Sequence, residues 1–477
     1  MSDTEMAGSG SAARAADGAG EGHGTCGDAA GTGLCACYPC NDASVSHRMA
    51  PEWHGGGEPA SLVTEATFDD QARLVGRVGI SMLSAGTGAW RVIESMNAVA
   101  RKLSLSCTVD AGLTSISYTC TRGPERTSAS YSLPTTGVNT DRLDHLSRFV
   151  REFCDRDDMT LAEAHAALDR ICSMRGNYTP LQAGLSSGFA CAAFTFLLGG
   201  GPVEMLVSLV GALAGNWFRR HLIDRRVSLI PNVMASVALA CLAAISSYLL
   251  LERLFGLSPL HESAYICAML FIIPGFPLIT GGIDLAKSDM RSGIERITYA
   301  LVIITTATFT GWVVATLMDF GPGDLQGVAL DPLARALLRL AMSFVGVFGF
   351  SQMFNSTPRM AATAASIGAV SNTLRLELVD LAGCAPSLAS FLGALAAGLL
   401  ASVVQRRVGY PRISLTVPSI VIMVPGLYMY RAVYHLALGN SADGASWLFN
   451  AAFMVLALPL GLIIARALTD RRFRQTV

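Results

Sequence analysis

Long apolar segments fill the chain beyond residue 180, and they constrain its fold more than any other feature. Most of the ten segments are long enough to span about 30 Å of hydrocarbon. They lie at residues 183–198, 203–218, 229–250, 264–283, 297–317, 333–352, 359–375, 384–404, 414–435 and 446–466. The whole chain is 51% hydrophobic and only 15% charged. We therefore predict an α-helical polytopic membrane protein with about ten transmembrane helices.

Basic residues divide unevenly between the two sets of connecting loops. One set, together with the C-terminal tail, carries 15 of them, and the opposite set carries only Arg253 and Arg375. Since basic loops stay in the cytoplasm, this division predicts an even number of spans and two cytoplasmic termini. The N-terminal residues have no signal-peptide pattern. The net charge of −1 argues against nucleic-acid binding.

Composition divides the chain into four parts. Residues 1–60 are rich in Gly, Ala and Ser and are predicted to be a disordered tail. Residues 67–180 are predicted to form a soluble cytoplasmic α+β domain, with helices at 67–86, 89–103, 140–155 and 160–174 and strands at 105–110, 113–120 and 126–133. Residues 181–320 and 330–470 would be two transmembrane halves.

Two Pro-Gly pairs interrupt the apolar segments at matching positions. Pro274-Gly275 breaks the fourth segment and Pro425-Gly426 breaks the ninth, each about 10 residues from its start. At about 1.5 Å per residue both breaks lie near mid-membrane. Five spans per half implies a 5+5 inverted repeat, and paired broken helices in such halves indicate a substrate site. The alternative is a pair of kinks that only improve packing.

Charged and aromatic residues near the two breaks complete the candidate site. Tyr428 and Arg431 follow the second break, and Arg431 could bind a substrate carboxylate or extend to the outer interface. Asp284 and Asp289 lie where the fourth span reaches the cytoplasm, near Arg296. We predict coupling or gating by these three residues, with Asp284 first, and structural ion pairing is the alternative.

Other chemical signals are weak. A cysteine group in the tail (Cys26, Cys35, Cys37 and Cys40) lacks a second ligand cluster, so no metal is predicted. The motif Gly184-Leu-Ser-Ser-Gly188 fits a nucleophile elbow but opens an apolar span instead of following a strand. No phosphate-binding loop is present, and no cofactor is predicted. An enzyme with its site in residues 67–180 is therefore the less favoured class.

The stretches "FLLGGGPVEMLVSLVGALAG", "IIPGFPLITGGIDLAKSDMRSGIER" and "GYPRISLTVPSIVIMVPGLYMYRA" resemble the bacterial threonine/serine exporter family. The resemblance covers about residues 67–467, including Gly79, Gly86 and Arg91 of the α+β region. It implies a plasma-membrane (inner-membrane) secondary exporter of small hydroxy amino acids, driven by the proton motive force, with both halves fused. Some split relatives are associated with succinate export, so a dicarboxylate is the alternative substrate. Predicted partners are the substrate, protons and the lipid bilayer, and a homo-oligomer is left open.

Overall fold

The computed structural model describes residues 61–256, 263–321, 323–325 and 327–474. The predicted tail, residues 1–60, and its cysteine group lie outside the described residues. The described chain is mostly helical and contains a single three-stranded sheet.

The first part of the described chain is an α+β segment, residues 61–173, with its own hydrophobic core. Its elements are α1 (Phe68–Ser84), α2 (Ala89–Lys102), β1 (Ser106–Ala111), β2 (Ser115–Arg122), β3 (Glu125–Ser132), α3 (Thr140–Asp155) and α4 (Leu161–Ser173). The three strands are antiparallel in the order β1-β2-β3. The predicted order of helices and strands is confirmed here.

Local signals account for these boundaries. The Thr67 hydroxyl accepts a hydrogen bond from the Asp70 N–H over 3.3 Å and caps α1. Leu74, Val78 and Met82 recur at helical spacing on α1, and all three are fully buried in the core. The helix is thus fixed by its cap and by one apolar face.

Helices make up almost all of the rest of the chain. They are α5 (Pro180–Leu197), α6 (Pro202–Asp224), α7 (Leu229–Phe255), α8 (Ala264–Ala268), α9 (Gly275–Ala286), α10 (Met290–Leu317), α11 (Pro332–Met353), α12 (Pro358–Asp380), α13 (Pro386–Val408), α14 (Arg412–Val421), α15 (Gly426–Ala437), α16 (Ser441–Thr469) and α17 (Arg471–Arg474). The Gly184–Gly188 motif lies inside α5, so the strand–turn–helix context of a nucleophile elbow is absent there.

Five of these helices, α7, α10, α11, α13 and α16, are long and apolar enough to cross a membrane among the described residues. The bent pairs α8–α9 and α14–α15 raise the number to seven if each pair is one span. Large apolar side chains project outward from the long helices, such as Leu250 on α7 and Phe453 on α16. A polytopic membrane protein accounts for these exposed faces.

Hydrogen bonds also join the α+β segment to the second half of the helical region. The Thr140 N–H donates to the Phe354 carbonyl over 3.0 Å, and the Thr140 and Ser356 hydroxyls are 2.7 Å apart. In the linker between α4 and α5, the Asn177 N–H donates to Asn355 Oδ1 over 2.6 Å. The segment is therefore bonded to the turn between α11 and α12.

Candidate functional site

The two Pro-Gly breaks have nearly the same backbone geometry. Pro274 has φ −81° and ψ 62°, and Pro425 has φ −80° and ψ 59°. The N–H of the following glycine donates to the carbonyl two residues earlier, over 2.8 Å in both cases. Each proline is thus the centre of an inverse γ-turn. The helix axes bend by 57° at the first break and by 49° at the second.

The breaks also lie against each other. A Cβ atom on Gly275 would overlap the Val421 side chain just before the second break, and one on Gly426 would overlap Ile273 just before the first. A larger residue at either position would force the contacting side chain to move. The structure therefore brings Pro274, Gly275, Pro425 and Gly426 together.

A buried tyrosine pair packs beside the breaks. The hydroxyl oxygens of Tyr265 on α8 and Tyr430 on α15 are 2.8 Å apart, and their rings meet edge to face at 6.0 Å. Both side chains are buried among apolar residues of the two halves. The hydroxyl contact thus joins the bent helices through a polar group in an apolar interior.

Tyr428 and Arg431 contact a different set of residues. The Tyr428 ring packs on Trp447 at 5.1 Å, and the Arg431 guanidinium lies 5.0 Å from the same indole. Arg431 also pairs with Asp324, which is 89% exposed in the loop after α10, over 2.8 Å. The ion pair thus joins Arg431 on α15 to the loop after α10 at the protein surface.

Asp284 and Arg296 form a buried ion pair between α9 and α10. Arg296 Nε is 3.2 Å from Asp284 Oδ2, and the two side chains are 2% and 1% exposed. The Ser292 hydroxyl donates to the same carboxylate oxygen over 2.9 Å. The sequence suggested that Asp284 is interfacial, but the structure buries it under the α+β segment.

The start of α2 provides this cover. The Ala89 N–H donates to Asp284 Oδ2 over 3.2 Å, and Arg296 Nη2 donates to the Thr87 carbonyl over 2.8 Å. A Cβ atom on Gly88 would lie only 2.8 Å from Asp284 Oδ1. That oxygen accepts no hydrogen bond from the described residues. The pair is therefore a contact between the α+β segment and helices α9 and α10.

Asp289 is half-buried at the start of α10, and its N–H donates to the Asp284 carbonyl over 3.0 Å. Burial raises the pKa of the Asp289 carboxyl, and the negative charge of Asp284 adds to this effect. Asp289 and Arg296 thus both lie close to Asp284, as the sequence predicted.

A small cavity opens next to this ion pair. It is bounded by α2, α9, α14 and α16, and its wall includes Thr280, Thr416 and Asp284. Three arginines also line it: Arg91, Arg412 and Arg466. Burial lowers the pKa of the Arg91 guanidinium. Sequence reasoning counted Arg412 and Arg466 only as loop charges and did not predict this site.

An aromatic and cationic cluster closes one side of the cavity. The Arg466 guanidinium lies 4.1 Å from the Trp90 ring and 4.5 Å from the Phe473 ring. Lys287 Nζ donates to the Phe473 carbonyl over 2.7 Å, and burial lowers the pKa of its ammonium. The C-terminal residues thus help to hold the α+β segment against the helices.

Sequence comparisons match two consecutive parts of the chain to one family of membrane exporters. A family profile described as a threonine/serine exporter matches residues 73–318, and a second, "Threonine/Serine exporter, ThrE", matches residues 339–468. A probable threonine/serine exporter of Mycobacterium tuberculosis is 24% identical over 411 residues, which is 83% of this chain and 75% of that protein.

Two shorter matches are to proteins named probable succinate transporter subunit YjjP. The one from Klebsiella aerogenes is 30% identical over 28% of this chain and 50% of that subunit. The one from Escherichia coli is 29% identical over 28% of this chain and 49% of that subunit. No solved structure shows a significant match. The two family profiles cover most of the helical region and much of the α+β segment, and the chain belongs to the threonine/serine exporter family.

Proposed function

We propose that this protein is a secondary transporter that exports threonine and serine across the bacterial plasma membrane, driven by the proton motive force. Its family membership supports transport over an enzymatic role. The observation that carries the proposal is the direct contact between two helix breaks of the same geometry. Half-helix ends at such breaks offer N–H groups to a carboxylate and carbonyl groups to an ammonium.

The proposed architecture is ten spans in two inverted halves of five. Pro274 and Pro425 are 151 residues apart, and so are the first residues of α10 and α16. Helices α9 and α15 both have 12 residues. The contacts at the breaks are reciprocal as well, because each glycine packs on the segment before the other proline. An internal repeat accounts for all of these correspondences.

The proposed substrate path runs from the cavity to the two breaks, with both termini and the α+β segment in the cytoplasm. Thr280 lines the cavity and is five residues from Gly275, or about 7.5 Å along a helix. The threonine hydroxyls supply polar contacts along an otherwise apolar route. The substrate would move between the halves at the breaks, where Pro274, Gly275, Pro425 and Gly426 meet.

Asp284 is the proposed coupling group, together with Arg296 and Asp289. Protonation of Asp284 would remove the negative charge that compensates Arg296. It would also weaken the Ala89 contact with the start of α2. Proton binding and release of the α+β segment are then linked, because the same carboxylate takes part in both.

A dicarboxylate such as succinate is the second candidate substrate. The cavity carries three arginines, enough to bind two carboxylates. The partial matches to succinate transporter subunits favour the same class of ligand.

Efflux measurements test both candidates. Cells loaded with a threonine-containing dipeptide should release threonine faster with this protein than without it, and an uncoupler should abolish the difference. Replacing Pro274-Gly275 by Ala-Ala should abolish export in protein that still reaches the membrane. Pro202→Ala is the matched control, because Pro202 begins α6 where a missing N–H is tolerated. Faster succinate efflux with unchanged threonine efflux would reject threonine as the substrate.

A further inference from the structure

Three arginines line the cavity beside Asp284, and the carboxylates nearest to them, Glu94 and Asp470, do not line it. Among the described residues no carboxylate lies within ion-pair distance of Arg91 or Arg412. Arg412 donates to two neutral oxygens, Gly398 O and Thr469 Oγ1, each over 2.9 Å. Arg466 pairs with Asp470 at 3.5 Å. Partly buried guanidinium groups that have no paired carboxylate, such as those of Arg91 and Arg412, favour the binding of an anion.

The surroundings extend this charge toward solvent. An adjoining cleft shares the three arginines and adds Arg151 and Arg406, together with one carboxylate, Asp470. A basic cleft that narrows into a smaller cavity raises the local concentration of anions.

A negatively charged residue, Asp284, lies in the wall of the same cavity. Asp284 is 1% exposed, and its Oδ1 has no hydrogen-bond partner among the described residues. Burying a carboxylate oxygen without a hydrogen bond costs free energy. This oxygen therefore indicates that Asp284 binds a further donor in another conformation. Gly88 is the residue that covers it, and Gly88 also lines the cavity.

We infer that this cavity is the intracellular loading site for a zwitterionic α-amino acid. The carboxylate binds among Arg91, Arg412 and Arg466, and the ammonium binds Asp284 Oδ1. This inference rests on the proposed export function and adds a binding site to it, on the cytoplasmic side of the two breaks. Thr280 and Thr416 offer hydroxyl groups to a polar side chain of the ligand.

Loading displaces the start of α2. Gly88 lies against Asp284 Oδ1 in this conformation. The ammonium of the ligand therefore reaches this oxygen when Gly88 and the start of α2 move away from Asp284. The ligand then replaces the weak Ala89 hydrogen bond of 3.2 Å with a charged one. The α+β segment thus acts as the lid of the loading site.

Counterflow in proteoliposomes containing the full chain tests this site, because exchange needs no net proton gradient. Labelled threonine is exchanged against unlabelled threonine, N-acetylthreonine (no ammonium) and threonine methyl ester (no carboxylate). For the wild type, each blocked analogue should compete at least about tenfold more weakly than threonine, since each loses a charged contact. In Arg412→Gln, threonine methyl ester should compete as well as threonine, because the preference for a free carboxylate is lost. In Asp284→Asn, N-acetylthreonine should compete as well as threonine, because the preference for a free ammonium is lost.

Control variants separate binding from folding. Arg407→Gln removes an exposed arginine that does not line the cavity, and should leave both preferences unchanged. Arg91→Gln is the second test of the carboxylate site, because Arg91 lines the same cavity from α2. It should weaken threonine competition without loss of folded protein.

The outcomes distinguish the two proposals. Wild-type protein that exchanges no threonine would overturn the proposed function itself. Wild-type exchange, with both analogue preferences unchanged in Arg412→Gln, Arg91→Gln and Asp284→Asn, would overturn the loading site and leave the function standing. Stronger competition by succinate than by threonine would overturn the assignment of Asp284 to an ammonium.

Discussion

The Asp284–Arg296 ion pair gives the most quantitative prediction. In Arg296→Met, the Asp284 carboxylate would keep the hydrogen bonds from Ser292 and Ala89 but would lose its countercharge. Leaving one partner of a buried pair uncompensated costs about 3–5 kcal/mol. We expect a loss of stability of this size, together with looser binding of the α+β segment, because Arg296 also donates to Thr87.

Arg291→Met is the matched control on the same helix. Arg291 also joins α10 to the α+β segment, through an ion pair with Asp110 on β1, but both side chains are about half exposed. A pair of this kind contributes about 1 kcal/mol or less. The two variants thus differ in burial, while both remove an arginine from the same interface.

Denaturant titration of the purified protein in detergent micelles, followed by circular dichroism, measures the loss of stability. Limited proteolysis reports whether the α+β segment has loosened. The double variant Asp284→Asn/Arg296→Met should be less destabilised than the sum of the single variants, because it leaves no uncompensated charge. Equal effects of Arg291→Met and Arg296→Met, or full additivity in the double variant, would refute this reasoning.

Three further predictions concern the breaks, the C-terminus and pH. Gly426→Val should abolish export and destabilise the protein by about 1–3 kcal/mol, because the new side chain would overlap Ile273; wild-type efflux from stable Gly426→Val protein would contradict this. Phe473→Ala removes the ring that Lys287 and Arg466 contact, and should speed proteolytic release of the α+β segment; cleavage at the wild-type rate would show that the ring contributes nothing. Asp289→Asn should stabilise the protein near pH 7 but not below about pH 4. The pKa of Asp289 is raised in the folded state, so the stability of the wild type falls as the pH rises from the unfolded-state pKa, about 3.9, through the folded-state pKa. Parallel pH–stability curves for the two proteins would refute this prediction.

The sequence predicted the parts of this molecule that depend on local chemistry. The Thr67 cap, the strands and the two Pro-Gly breaks follow from propensity and periodicity, which act over a few residues. Asp284 was found because a charge stands out at the end of an apolar segment. Its burial was not predicted, since Gly88 is nearly two hundred residues away in the chain.

The cavity was missed for the same reason. Arg91, Arg412 and Arg466 belong to three separate helices, and only tertiary packing brings them to one wall. Each of them has an ordinary explanation in sequence, as a helix-surface or loop charge. Periodicity indicates which face of a helix is apolar, but not which other helix that face will meet.

The reciprocal contact at the breaks has an evolutionary consequence. Gly275 packs on Val421 and Gly426 packs on Ile273, so each half supplies part of the surroundings that the other half needs. A larger side chain at either glycine could be accepted only with a smaller one at its partner. Positions 275 and 421, and likewise 273 and 426, should therefore covary among relatives, and the two halves cannot diverge independently at this contact.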